Sequence, residues 1–128
     1  MSSLFRSAQA ADSPQLLVVH DLNGKIFGAV SSCRLRISDH FYGSSECCLF
    51  TFFPSFHVFR WSGENTFFIK GNRESLSFGA ASGANGLWLD ADLYRGRTQR
   101  CATFNNDLLS TTEDFTIECV ELWGFPSV

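Results

Sequence analysis

Long apolar runs are missing from this chain: no stretch comes near the roughly 18 residues that a membrane-spanning helix requires. The opening segment Met1–Ala11 has neither the basic start nor the sustained apolar run of a secretory signal. Charge is scarce as well, at 18% of residues with a formal net charge of −3. Together with 45% hydrophobic residues, that is the reverse of a disordered composition. A pI near 5.5 leaves no basic surplus for a nucleic-acid footprint. Two small basic stripes, Arg34 with Arg36 and Arg95 with Arg97 and Arg100, read as solvated strand faces.

Cysteine and histidine lack the spacings that would make them ligands. The five cysteines, Cys33, Cys47, Cys48, Cys101 and Cys119, are odd in number and form no C-x-x-C pair, so a disulfide framework or zinc knuckle is not indicated. His20, His40 and His57 are far apart and give no H-x-x-x-H. No metal or cofactor is therefore expected. The thiols read as reduced, mostly buried small hydrophobes. They agree with a reducing, intracellular compartment, cytoplasmic by default.

Aromatic side chains are what the sequence has in quantity: 14 of its 128 residues are Phe. A chain of this length makes one domain, residues 1–128, with a core large enough to fold without staples. Ser2–Asp12 places Leu4, Phe5, Ala8 and Ala11 at helical spacing, and Ser13–Pro14 stops it, which predicts a short helix. Leu16–Asp21 and Lys25–Ser31 flank Asn23–Gly24, the pair that suits a type I′ hairpin. Cys47–Phe53, Phe56–Trp61 and Phe67–Lys70 follow as a three-stranded meander divided by Pro54–Ser55 and Ser62–Asn65. Ser75–Phe78 alternates cleanly, Leu87–Asp90 and Leu93–Arg97 are short strands, and Thr98–Thr103 can extend the sheet. Ser110 and Glu113 have capping-box spacing for one helical turn. Phe115–Phe125 reads as a central strand, bulged near Cys119, with Phe115, Ile117 and Cys119 on one face and Val120 and Leu122 on the other. About nine short strands with Gly, Asn, Ser and Pro turns describe a mainly β fold, a sandwich of two antiparallel sheets with short flanking helices. Trp61, Trp88 and Trp123 are expected in its core.

Three polar segments stand out. Ser38–Glu46 holds Asp39, His40 and Glu46, which could form an acid–base group, yet no G-x-S-x-G elbow accompanies them and residues so close along a loop seldom converge. Gly79–Gly86 lacks the Lys and the following helix of a phosphate loop. Asp90 and Asp92 at i, i+2 offer too few oxygens for calcium. No catalytic constellation emerges from these residues.

Longer strings carry a resemblance. Ser38-Asp39-His40-Phe41-Tyr42-Gly43, Phe56-His57-Val58-Phe59-Arg60-Trp61-Ser62-Gly63-Glu64-Asn65, Phe67-Phe68-Ile69-Lys70-Gly71, and the run from Gly86 to Arg97 resemble the TLDc domain. The ending Thr103–Asn106, Glu113–Phe115 and Val120–Phe125 extends the likeness across Leu4–Phe125. The resemblance is to the branch of oxidation resistance proteins and their nuclear-receptor-coactivator relatives. It implies a β-sandwich with short helices, no established catalysis, and a noncatalytic regulatory role in protection against oxidative stress. It further implies engagement of the vacuolar proton-pumping ATPase as protein partner, with mitochondrial and nuclear locations as alternatives to the cytoplasmic one; the composition already set aside nucleic acid and membrane insertion, and a monomer is expected. The residues expected to bind are Asp39, His40 and Glu46 in the first loop and Asp90, Asp92, Arg95 and Arg97 in the late one. The alternatives are thiol-based oxidant scavenging by the five cysteines and hydrolysis at Asp39, His40 and Glu46.

Two loops depart from the family pattern, Gly43-Ser44-Ser45-Glu46 and Gly79-Ala80-Ala81-Ser82-Gly83. Ser3–Arg6 resembles the second helix of the domain, so the chain reads as N-terminally truncated relative to the family. An uncovered sheet edge or apolar face is the expected result.

Overall fold

The computed structural model describes residues 14–124. They form nine strands: β1 (Gln15–Asp21), β2 (Ile26–Ser31), β3 (Cys48–Phe53), β4 (His57–Arg60), β5 (Ile69–Gly71), β6 (Ser75–Phe78), β7 (Leu87–Asp90), β8 (Arg95–Arg97) and β9 (Asp114–Gly124). All pairings are antiparallel, in the order β4-β3-β2-β1-β9-β8-β7-β6-β5. The long strand β9 belongs to both halves: Asp114, Phe115 and Thr116 pair with β8, and the residues from Ile117 to Gly124 pair with β1. The two halves fold against each other over a shared core. Leu17, Val19, Phe27 and Leu49 from one half meet Ile69, Leu76, Phe78, Leu87, Leu89 and Phe115 from the other. Phe27 sets its edge on Phe115 at the seam, with ring centroids 5.0 Å apart.

The mainly β sandwich agrees with the sequence reading, but no helix occurs among the described residues. The predicted helix over Ser2–Asp12 lies outside them. Ser110 does not cap a helical turn, because its hydroxyl donates instead to the buried carboxylate of Asp21. The β1–β2 hairpin forms, yet not through a type I′ turn. Gly24 has φ +81°, Asn23 does not share a positive φ, and Gly24 N–H donates to Asp21 C=O at 3.2 Å. This is a type I turn closed by a left-handed glycine, a conformation glycine adopts without steric cost. Asp21 Oδ1 secures it by accepting from the amides of Asn23 and Lys25, each at 2.9 Å.

The meander ends after two strands. β4 is one edge of the sheet and β5 the other, because Trp61–Phe67 crosses between the layers. Hydrogen bonds hold that crossing, from Ser62 N to Thr103 O at 2.9 Å and from Asn65 Nδ2 to Ala80 O at 3.0 Å. Thr98–Thr103 does not extend the sheet beyond one amide, Thr98 N to Glu113 O at 2.7 Å.

The bulge expected near Cys119 is present: His20 pairs with Cys119 while Asp21 pairs with Ile117, leaving Glu118 as the extra residue. It changes the reading of β9. One inserted residue inverts the side-chain alternation, so Phe115, Ile117, Val120 and Leu122 all contribute to the core and Cys119, Glu121 and Trp123 are exposed. Trp123 is therefore not a core residue, being 57% exposed. Trp61 is exposed too, its ring edge on Phe68 and its Nε1 donating to Asn65 O at 2.6 Å. Trp88 is half-buried.

Candidate functional site

Of the polar residues singled out in the sequence, all but Glu46 lie on or beside the β5–β8 half. Strand alternation turns Lys70, Ser77, Trp88 and Arg97 to one side, and the register sets them directly opposite one another and then opposite Asp114. From Lys70 to Arg97 is three strand spacings, about 14 Å. A second row places Ser75 opposite Asp90 and Arg95 opposite Thr116. Trp88, Asp90, Arg95, Asp114 and Thr116 line a polar concavity of about 360 Å³.

The loop before β5 is fastened to that edge through its backbone. Ser38 N–H donates to Gly71 O at 2.8 Å, and Tyr42 exchanges hydrogen bonds with Ile69 at 2.9 and 3.0 Å. Tyr42 Oη accepts from Arg36 N at 2.8 Å and donates to Arg36 O at 3.0 Å, while the Arg36 guanidinium covers its ring at 4.1 Å. Burial pushes the Tyr42 phenol up to about 12. Between these anchors Asp39 and His40 project into solvent, with side chains 97% and 77% exposed. Asp39 Oδ1 and His40 Nδ1 lie 2.7 Å apart, and that hydrogen bond holds the Asp39 carboxyl below its ordinary range. Lys70 Nζ donates to Asp39 O at 2.9 Å.

Asp90 and Arg95 are brought together by a turn of the same design. Asp90 Oδ1 accepts from Tyr94 N at 2.9 Å and Arg95 N at 3.2 Å, with Leu93 held at φ +54°. Asn72 does likewise between β5 and β6, accepting from Glu74 N at 2.7 Å and Ser75 N at 2.8 Å. Because Ser38 bonds Gly71 and Ser75 pairs with Asp90, the Asp39–His40 loop, the Asn72–Glu74 turn and the Asp90–Arg95 turn share one end of the half-sheet. Asp92 is exposed at the tip of the last.

Arg97 and Glu46 stand apart from that end. Arg97 Nε donates to Asp114 Oδ1 at 2.9 Å and Nη2 to Oδ2 at 3.3 Å, which lowers the Asp114 carboxyl and raises the guanidinium. Glu46 belongs to a separate turn, anchored by Ser44 N on Ser32 Oγ at 3.0 Å. Lys70, Trp88 and Asp114 were missed by sequence reasoning. The alternation of Ser75–Phe78 identified the polar face, but only the register reveals which residues of other strands join it.

Asp39 and His40 lie in water, and Ser38 Oγ accepts from the His40 amide at 3.3 Å. Among the described residues no three His, Cys, Asp or Glu side chains cluster to hold a metal ion. All five cysteines are free. Burial raises the Cys48 thiol, and desolvation with Glu121 and Glu118 nearby raises that of Cys119, the opposite of what a reactive thiolate needs. Arg36 Nη1 donates to Cys33 Sγ at 3.6 Å.

Fold and site define a β-sandwich that presents stapled, charged turns at one end. The chain belongs to the TLDc domain family, whose model matches residues 1–126. It is 54% identical over 125 residues to nuclear receptor coactivator 7 of Gallus gallus, covering 98% of this chain and 14% of that protein. Its identity to nuclear receptor coactivator 7 of Homo sapiens is 50% over 125 residues, covering 98% of this chain and 13% of that protein. With human oxidation resistance protein 1 the identity is 49% over 125 residues, covering 98% and 14% respectively. The chain thus spans about one seventh of the length of these relatives.

Proposed function

We propose that this chain is a noncatalytic binding module serving protection against oxidative stress, acting in the cytoplasm as a monomer through the vacuolar proton-pumping ATPase. The carrying observation is the placement of Asp39, His40, Asp90, Asp92 and Arg95 on backbone-anchored turns at one end of the sandwich. Loops held on a rigid scaffold are suited to recognition. Exposed charges of both signs favour orientation and rate of encounter with a charged protein surface. Similarity to proteins named for oxidation resistance supports the cellular role.

The test is retention of the assembled pump from solubilised organelle membranes on the immobilised chain. Wild type is expected to retain pump subunits, and the paired reversal Asp92→Lys with Arg95→Glu to lose them while keeping its unfolding midpoint. Capture of no pump subunit by wild type overturns the partner. Undiminished capture by the reversal overturns the site.

A further inference from the structure

The chain contains two Asn-Gly pairs, Asn23–Gly24 and Asn85–Gly86. Both carry the same latent chemistry. The backbone nitrogen that follows an asparagine can attack its side-chain carboxamide and close a five-membered ring, and glycine at that nitrogen brings no side chain to crowd the approach. The fold treats the two pairs oppositely.

Asn85–Gly86 is held at each group the reaction needs. Asn85 Nδ2, the leaving nitrogen, donates to Gly79 O at 2.8 Å. Gly86 N, the attacking nitrogen, donates to Phe78 O at 3.0 Å. Gly86 is buried, and a Cβ there would meet the Leu49 side chain at 2.5 Å. Asn23 and Gly24 are instead exposed at the tip of the β1–β2 hairpin. The Asn23 carboxamide makes no hydrogen bond among the described residues. Apart from its chain neighbours, nothing stands within 4 Å of where a Gly24 Cβ would be. Gly24 N is tied only by the turn bond to Asp21 O at 3.2 Å.

We propose that Asn23 is a deamidation and isomerisation site. Gly24 N gives its proton to solvent base and bonds to Asn23 Cγ; the Cγ–Nδ2 bond breaks and that nitrogen leaves as ammonia. Water then opens the cyclic imide. Cleavage of the new N–Cγ bond leaves aspartate, whereas cleavage of the original peptide bond leaves isoaspartate, with the main chain routed through Cγ. One water enters and one ammonia leaves, with no change of oxidation state. The product carries an exposed main-chain carboxylate, the group that an isoaspartyl carboxyl methyltransferase recognises.

Asp21 couples this site to the interior. Its Oδ1 accepts from Asn23 N and Lys25 N, each at 2.9 Å, and the carboxylate, 1% exposed, also takes the Ser110 hydroxyl. Isoaspartate adds one carbon to the backbone between those two amides and sets a second carboxylate beside the first. Donors that move apart leave a buried acceptor unsatisfied, which destabilises the fold. Modification at the tip therefore loosens the clamp between the hairpin and Ser110.

The test incubates the full chain in mildly alkaline buffer, natively and unfolded in guanidinium chloride, and follows deamidation of both pairs by peptide mass spectrometry. Isoaspartate is counted by methyl uptake from S-adenosylmethionine through an isoaspartyl carboxyl methyltransferase. Unfolded, the two pairs are expected to react at similar rates. Natively, Asn23 is expected to react at least about 10-fold faster than Asn85, the factor withheld when local opening costs about 1.4 kcal/mol. Asn23→Gln, whose longer side chain disfavours the five-membered ring, should abolish native methyl uptake. The isoaspartyl fraction, separated by ion exchange, should unfold at lower urea than the parent. Equal native rates at the two pairs overturn the proposal, as does undiminished methyl uptake in Asn23→Gln. An unchanged urea midpoint in the isoaspartyl fraction overturns the coupling through Asp21.

Discussion

The two halves of the sandwich share one core and differ in what they turn outward. The β5–β8 half turns out exposed Arg95 and Arg97 and half-buried Lys70, Ser75, Trp88 and Asp90, the ordinary division of a sheet with one solvated face. The β1–β4 half turns out Leu16, Val18, Val30, Cys48 and Phe50. Strand sequence explains the contrast. Gln15–Asp21 and Cys48–Phe53 are near-continuous apolar runs, while Ser75–Phe78 alternates. The comparison teaches that one fold here carries two kinds of surface: a charged one displayed by tight turns, and an apolar one grooved along its strands.

The largest expected effect comes where the halves meet and the contrast vanishes. Phe27 is fully buried against Phe115, so Phe27→Ala should destabilise by about 3–5 kcal/mol in urea titration, through lost transfer energy and the remaining cavity. Loss of much less would mean that the halves are not packed as one core. Next comes Tyr42, which ties the Asp39–His40 loop to β5. Its phenol is raised from 10.0 to about 12 in the fold. That contribution is intact below pH 10 and is lost as pH rises toward 12, because the unfolded chain releases its proton first. Two units correspond to roughly 2–3 kcal/mol. Tyr42→Phe should flatten this alkaline limb, and its neutral-pH stability should fall by about 1–3 kcal/mol as Arg36 N–H and C=O lose their partner.

Glycine distinguishes the halves at intermediate magnitude. A Cβ at Gly28 would collide with the Leu17 carbonyl and crowd Phe50, and one at Gly96 would collide with the Phe115 ring. Each change to Ala should cost roughly 1–3 kcal/mol by overpacking. Only Gly28→Ala should also raise the iodoacetamide alkylation rate of Cys48, half-buried beside Phe50 on the outer face, since only it lifts the Phe50 ring. Equal alkylation in both variants would dissolve the distinction between the two close approaches.

Much of this architecture was legible in the sequence. Nine strands, the Asn23–Gly24 hairpin, the bulge near Cys119 and the central position of β9 all follow from local pattern. What escaped depends on contacts distant along the chain. The type of the first turn is settled by Asp21, whose carboxylate takes two turn amides and the Ser110 hydroxyl. The facing of Cys119 and Trp123 depends on Glu118 being the inserted residue, and periodicity alone cannot choose which residue a partner strand skips. The crossing from β4 to β5 is directed by Thr103 and Ala80, far from the strands it separates. For the site, residue types identified the turns around Asp39 and Asp90, but their common end came only from the Ser38–Gly71 and Ser75–Asp90 pairings.

The smallest expected effect probes the polar face itself. Arg97 and Asp114 form a two-pronged ion pair, but both side chains are largely in water, 49% and 72% exposed. Exposed pairs gain little because solvent and salt screen them. Arg97→Ala should therefore leave the urea midpoint within error of wild type near neutral pH. Its signature is in titration: Asp114, held low by the guanidinium, should return toward the ordinary carboxylate range when followed by NMR. Whatever small stability the pair supplies is present above that range and fades as pH falls through the lowered value, so wild type and variant should converge in acid. A clear midpoint shift at neutral pH would show instead that Arg97 contributes through packing against Trp88, its cross-strand neighbour, and that apolar contact matters on the outer face of the second half too.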